Sequence, residues 1–333
     1  MKVAQIVQPD QLEMFDLPIP EPAENEVLIK VMASGICGTD IHIFRGEYMG
    51  AYPVIPGHEF SGIVEAAGSG VTRFRPGDRV AVEPNIACDN CEQCLNNRQN
   101  FCQNWSAVGV TRPGGMAQFV TAPEKACFDI GELPFEQAAL MEPLSCVLHG
   151  VERLQPEMGA KIAIFGAGPI GILLLQVLRL TGAAEVIVVD RNPSRASFAA
   201  RAGAHQVYTD LADLPSTDYD AVVDATGVIA VMSRSLDFAR PGGKVLLFGV
   251  PPSGAQINLE AFQIFRKGLT ILSSFTSVRN SYQALDLLKY GRLSLAGLVS
   301  HELPLDDLQC GIELIEQGAE DVRKVLIKPH THA

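Results

Sequence analysis

No stretch of this sequence is both long and apolar enough to cross a bilayer. The longest hydrophobic run, near residues 170–190, is broken by Gln176, Arg179 and Glu185. Basic character is also lacking. The 333 residues hold 26 Lys and Arg against 38 Asp and Glu, a formal charge of −12, with no run of cationic side chains. Phosphate-rich partners need a basic face to replace their counterions, so the charge argues against nucleic acid and anionic membrane as partners. Gln8, Pro9, Asp10 and Gln11 stand where a secretory leader would carry its apolar core, and a cytoplasmic protein is expected. Internal repeats and low-complexity tracts are missing as well, which excludes a solenoid.

What is present is a length that suits about two domains and, at 47% hydrophobic residues, enough apolar side chains for a core in each. The eight cysteines, in a reducing compartment, are expected as thiols or metal ligands rather than disulfides. Residues 1–145 read as β-rich, with strand patterns at Val27–Met32 and Ile63–Glu65 among many Gly and Pro. From Lys161 the pattern becomes short, almost wholly apolar strands alternating with helices: Lys161–Phe165, Glu185–Val189, Gln206–Tyr208, Ala221–Asp224, Lys244–Phe248 and Leu269–Leu272. Such strands belong in a parallel sheet covered on both faces, a doubly wound α/β arrangement. Asn192 and Pro193 start one of its helices and Gly203 closes it. Beyond Phe275 the alternation lapses into two helical patterns, Ser281–Tyr290 and Leu305–Glu316, and an apolar run at Val325–Ile327, read as a return to the first domain.

Cys88, Cys91, Cys94 and Cys102 lie on one short polar loop. Four thiolates so spaced can close the tetrahedral shell of a zinc ion, and an iron–sulfur cluster would accept the same ligands. With no open position the metal would be structural. A second set, Cys37, His58 and Glu59, offers the mixed sulfur, nitrogen and carboxylate donors of a catalytic zinc, which needs about three protein ligands and one exchangeable site. Spacing alone leaves open whether they meet.

Gly166, Gly168, Pro169, Ile170 and Gly171 form a glycine-rich turn between the strand Lys161–Phe165 and the helical run Ile172–Leu180. In that context the glycines allow a tight turn, backbone approach to a pyrophosphate and helix-on-strand packing. Asp190 ends the next strand, where its carboxylate can accept the ribose hydroxyls of NAD and would repel the 2′-phosphate of NADP. Arg191, able to bind a phosphate, keeps dual use open, and a purely structural Asp190 capping its turn is the other reading.

C-G-T-D-I-H at 37–42, G-H-E-F-S-G-I-V at 57–64, the four-cysteine loop, M-E-P-L at 141–144, G-A-G-P-I-G at 166–171 and D-A-T-G at 224–227 occur in this order. With these motifs the chain resembles the zinc-dependent medium-chain alcohol dehydrogenases, most of all their polyol branch. The resemblance implies an α/β fold with a chaperonin-10-like β-barrel catalytic domain at 1–145, a doubly wound Rossmann domain at 146–275, and a return to the catalytic domain at 276–333. It implies NAD and two zinc ions per chain, one catalytic and one structural, a small polyol substrate, and a homodimer or homotetramer. By the same resemblance Cys37, His58 and Glu59 are catalytic-zinc ligands, with Glu142 a nearby carboxylate that ligates directly or through water. Asp40 lies behind the zinc ligands, Thr39 relays the substrate proton towards His42, and Ile170, Asp190 and Arg195 hold NAD. Phe44, Tyr48, Arg279 and Asn280 are candidates for the substrate pocket. The competing readings are an L-threonine 3-dehydrogenase-like activity and a non-catalytic NAD-binding zinc protein.

Overall fold

A computed structural model describes residues 1–49, 51–318 and 321–331, which form two compact units, Met1–Ser145 with Thr276–Ala333 and Cys146–Phe275. Among the described residues no helix is long and apolar enough to cross a membrane.

The first unit is built on a seven-stranded sheet. Its strands run in the order Val299–Pro304, Lys324–Lys328, Glu26–Gly35, Glu59–Ala67, Arg79–Val82 and Cys127–Asp129, with Phe119–Pro123 also paired to Glu26–Gly35. Alternation explains the central strand: Val27, Ile29 and Val31 point into one core with Phe60, Val64 and Val80. A hairpin, Lys2–Gln8 with Gln11–Asp16, contributes Val3, Ala4 and Ile6 to a second core that includes Val325 and Ile327 of the tail. The strands expected at Val27–Met32 and Ile63–Glu65 are longer than their apolar cores, and Val299–Pro304 is an added strand whose mixed polarity hid it. The helix expected from Leu305 opens as a tight turn, Leu305–Asp307, before the α-helix Leu308–Gln317.

In the second unit six parallel strands stand in the order Gln206–Tyr208, Glu185–Val189, Lys161–Phe165, Tyr219–Asp224, Ala239–Leu247 and Thr270–Ser273. Numbered along the chain this is 3-2-1-4-5-6, the doubly wound dinucleotide-binding order, which reverses direction between Lys161–Phe165 and Tyr219–Asp224. Ala163, Phe165, Ile187, Val189, Val222 and Val245 supply the continuous apolar filling that such a sheet requires. One strand differs from expectation at its start: Ala239–Leu247 begins before Pro241 and the paired glycines, with a register shift opposite Tyr219. Asn192 caps the helix Pro193–Arg201 by accepting from the N–H groups of Ser194 and Arg195.

Close packing at the reversal point depends on Gly171, where an added Cβ would stand 1.9 Å from the Gly166 carbonyl oxygen. Gly171→Ala is expected to lower stability by about 1–3 kcal/mol through forced overpacking. The check is a lowered urea midpoint with an unchanged m-value.

Candidate active site

Cys37 stands in extended conformation immediately before the short helix Gly38–Phe44. Asp40, in the first turn, accepts from the Cys37 backbone N–H through Oδ2 at 2.8 Å, so the carboxylate caps the helix and fixes the cysteine. Its other oxygen accepts from the Gly57 N–H at 3.1 Å and faces His58 Nδ1 at 3.5 Å. One buried carboxylate thus ties together two segments far apart in sequence. Gly57 is needed there: its φ is +95°, and a Cβ would lie 2.8 Å from the Met116 backbone nitrogen. Glu59 follows at the head of its strand, opposite Gly35. The result is that one donor atom each from Cys37, His58 and Glu59 lies within 4.8 Å of the other two.

The electrostatics call for a cation. Burial works to strip the proton from His58, yet the negative charges of Asp40 and Cys37 outweigh it and hold the pKa well above the ordinary histidine value. Lys324, buried in the same place and bonded to Glu59, is likewise raised, with Glu59 and Cys37 overcoming desolvation. His58 Nδ1 is buried, and Asp40 Oδ1 approaches it at 3.5 Å without a full hydrogen bond. An imidazole, a thiol and a carboxylate inside a negative pocket fit a divalent zinc ion, whose binding would displace the imidazole proton.

Glu142 does not join this group at the same spacing. It is buried in the first turn of the helix Met141–Leu154, and its carbonyl accepts from the Ser145 hydroxyl at 2.7 Å. Thr39 and His42 lie on the helix that follows Cys37, three residues apart and therefore on one face. The His42 Nδ1 is 2.9 Å from Glu47 Oε2, a partner the sequence did not disclose. The proposed pocket residues separate. Phe44 is packed in the core with Ile6 and Ile43, Asn280 turns its amide onto Val278 and Gln283, and Arg279 lines a cavity of about 180 Å³ with Glu83, Asn85, Phe128 and Lys125. Lys324 went unnoticed in the sequence; its only signal is a cation heading the apolar run Val325–Ile327.

In the cysteine loop the sulfurs of Cys91 and Cys94 are 3.5 Å apart, those of Cys91 and Cys102 3.9 Å, and those of Cys88 and Cys94 4.0 Å. Zinc–sulfur bonds of about 2.3 Å place tetrahedral thiolates about 3.8 Å apart, so the loop matches a zinc shell and is far from disulfide geometry. Backbone N–H groups of Cys88 and Asn104 each donate to Cys102 Sγ at 3.3 Å. The Asn90 N–H leads the influences that bring the Cys88 thiol down to about 6, favouring the thiolate.

The glycine-rich turn of the other unit is equally specific. Gly166 has φ +104°, while a Cβ on Gly168 would meet nothing within 4 Å, leaving a cradle open to a phosphate at the start of the helix Pro169–Leu180. Asp190 accepts from the Ala167 N–H at 2.7 Å and the Asn192 N–H at 2.8 Å. Its carboxylate therefore braces the turn. Arg195 lies in the first turn of the next helix.

Two family patterns match the chain: "Alcohol dehydrogenase GroES-like domain" over residues 23–132 and "Zinc-binding dehydrogenase" over 169–290. The chain belongs to the zinc-binding medium-chain alcohol dehydrogenases. It is 38% identical to the D-altritol 5-dehydrogenase of Agrobacterium fabrum, over 92% of this chain and 94% of that protein. The L-threonine 3-dehydrogenase of Idiomarina loihiensis is 32% identical, over 92% and 93%. A solved zinc-binding dehydrogenase of Sinorhizobium meliloti, bound to NADP, superposes with a TM-score of 0.92 at 34% identity, covering 98% of this chain and 99% of that one. The GroES-like and Rossmann architecture expected from the sequence is that of this dehydrogenase family, and both zinc groups lie within it.

Elemental analysis of the purified dehydrogenase is expected to give two zinc ions per chain. Cys37→Ser and Cys91→Ser should each lose one, and only Cys91→Ser should loosen the cysteine loop, read as faster proteolysis there. Full zinc in both variants would contradict the ligand sets.

Proposed function

We propose that this dehydrogenase oxidises a secondary hydroxyl of a polyol or sugar-derived alcohol and passes the hydride to NAD. The observation that carries the reading is the convergence of Cys37, His58 and Glu59 on one point. Zinc bound there supplies Lewis acidity that eases deprotonation of a substrate hydroxyl, and the dinucleotide supplies the hydride acceptor.

The chain's own residues do the rest. Asp40 holds the Cys37 and Gly57 backbones in place and orients the His58 ring. The Thr39 hydroxyl, half-buried one residue before Asp40, accepts the proton leaving the substrate as it releases its own towards His42. Glu47 Oε2, 2.9 Å from His42 Nδ1, holds the ring in place. Glu142, buried in the first turn of its helix and outside the group of three donors, would ligate through water rather than directly.

The turn at Gly166–Gly171, with Ile170 and Arg195 in the first turns of the helices Pro169–Leu180 and Pro193–Arg201, would hold the dinucleotide. Asp190 favours NAD, because its charge would meet a 2′-phosphate at short range. The polyol preference is supported by the higher identity to the altritol enzyme, 38% against 32% for the threonine enzyme. Oxidation of an amino alcohol is the second reading, favoured by that latter similarity.

A steady-state panel of pentitols, hexitols and L-threonine with NAD separates the two. The expected result is turnover of polyols; oxidation of threonine with none of the polyols would overturn the substrate assignment. Cys37→Ser should lower kcat on the order of 10³-fold with the fold intact, the equivalent of losing several kcal/mol of electrophilic assistance. In Asp190→Ala the KM for NAD should rise on the order of tenfold and the preference over NADP should shrink, as a charged hydrogen-bond acceptor is lost; an unchanged cofactor ratio would count against the ribose role.

A further inference from the structure

The chemistry above leaves one charged group beside the zinc ligands without a task. Lys324 heads the strand Lys324–Lys328, which pairs with Glu26–Gly35, and that strand in turn pairs with Glu59–Ala67. The lysine therefore reaches past Gly35 to Glu59. Its Nζ donates to Glu59 Oε2 and to the Ile36 carbonyl at 3.0 Å, and the two side chains are 4% and 2% exposed. Gly35 keeps the path clear: a Cβ there would stand 2.4 Å from Glu59 Oε2 and 2.7 Å from Lys324 Cε.

A buried ion pair is a poor way to stabilise a fold, since apolar residues of similar volume would do as well. Its placement on a zinc-ligand carboxylate gives it another use. A thiolate at Cys37 and carboxylates at Asp40 and Glu59 exceed the charge of a divalent ion by one, and the Lys324 ammonium supplies the balance. A cation bonded to Glu59 draws electron density from the carboxylate, which weakens its donation to the metal.

We propose that Lys324 is a positioning residue that holds Glu59 through Oε2 and makes it a weak, displaceable zinc ligand, so that the ion stays electron-poor and open to a substrate hydroxyl. The proposal rests on Cys37, His58 and Glu59 holding the catalytic ion.

The test is the time course of zinc release from the holoenzyme to a chromogenic chelator, in which the phase abolished by Cys37→Ser belongs to the catalytic site. Lys324→Met should slow that phase on the order of tenfold and leave the cysteine-loop phase unchanged. It should also lower kcat for the polyol with little change in KM, and Lys324→Arg should restore both. In a Glu59→Gln background, Lys324→Met should change nothing, because its effect passes through the carboxylate. Unchanged or faster release in Lys324→Met, failure of Lys324→Arg to restore it, or equal slowing in the Glu59→Gln background would overturn the proposal. Should Lys324→Met fail to fold, the double variant decides: release equal to that of Glu59→Gln supports the role, and a tenfold difference defeats it. If both phases survive in Cys37→Ser, the ligand assignment itself falls and takes the proposal with it, an outcome distinct from normal release in Lys324→Met.

Discussion

The Asp40 carboxylate, buried and shared between the Cys37 and Gly57 backbones while facing His58, is the constraint on which the zinc site depends. A metal centre made from residues distant in the chain needs its ligands delivered to one point before the ion arrives, because each disordered ligand adds conformational entropy to the cost of binding. Here the delivery is done by backbone hydrogen bonds to one side chain. The short helix after Cys37 has little stability of its own, and the glycine at 57 accepts a conformation that other residues would resist. Both local weaknesses are tolerated because the carboxylate joins them.

Charge explains the surroundings. The donor set is strongly negative, and its charges outweigh burial to raise the proton affinity of His58 and Lys324 and make the pocket receptive to a divalent ion. The cysteine loop solves a different problem. Its four sulfurs sit at the edge lengths of a zinc tetrahedron, and its exposed Leu95 and Phe101 show how little of the loop is anchored by burial. One cluster keeps a place for chemistry, and the other replaces a hydrophobic core.

Much of this was legible from residues alone where a motif carries its own geometry. The strands Lys161–Phe165, Glu185–Val189 and Gln206–Tyr208 have the expected bounds, because in a sheet covered on both faces a polar residue marks the strand's entry and the apolar run its interior. The glycine turn and the cysteine spacing were readable for similar reasons. Less visible were features decided by contacts across the chain: the strand Val299–Pro304, with its polar residues; the early start of Ala239–Leu247 over a proline and two glycines; and the reach of Lys324 to Glu59. Phe44, a candidate for the substrate pocket, is instead packed in a core beside the C-G-T-D-I-H motif. Sequence proximity to a site does not say which way a side chain faces.

The central claim is that Cys37, His58 and Glu59 share one zinc ion in this alcohol dehydrogenase. Anomalous scattering from crystals of the protein, recorded on either side of the zinc absorption edge, tests it most directly. The account predicts two peaks per chain, one among the four cysteine sulfurs and one within bonding distance of Cys37 Sγ and His58. A single peak confined to the cysteine loop, in crystals grown with zinc present, would contradict it.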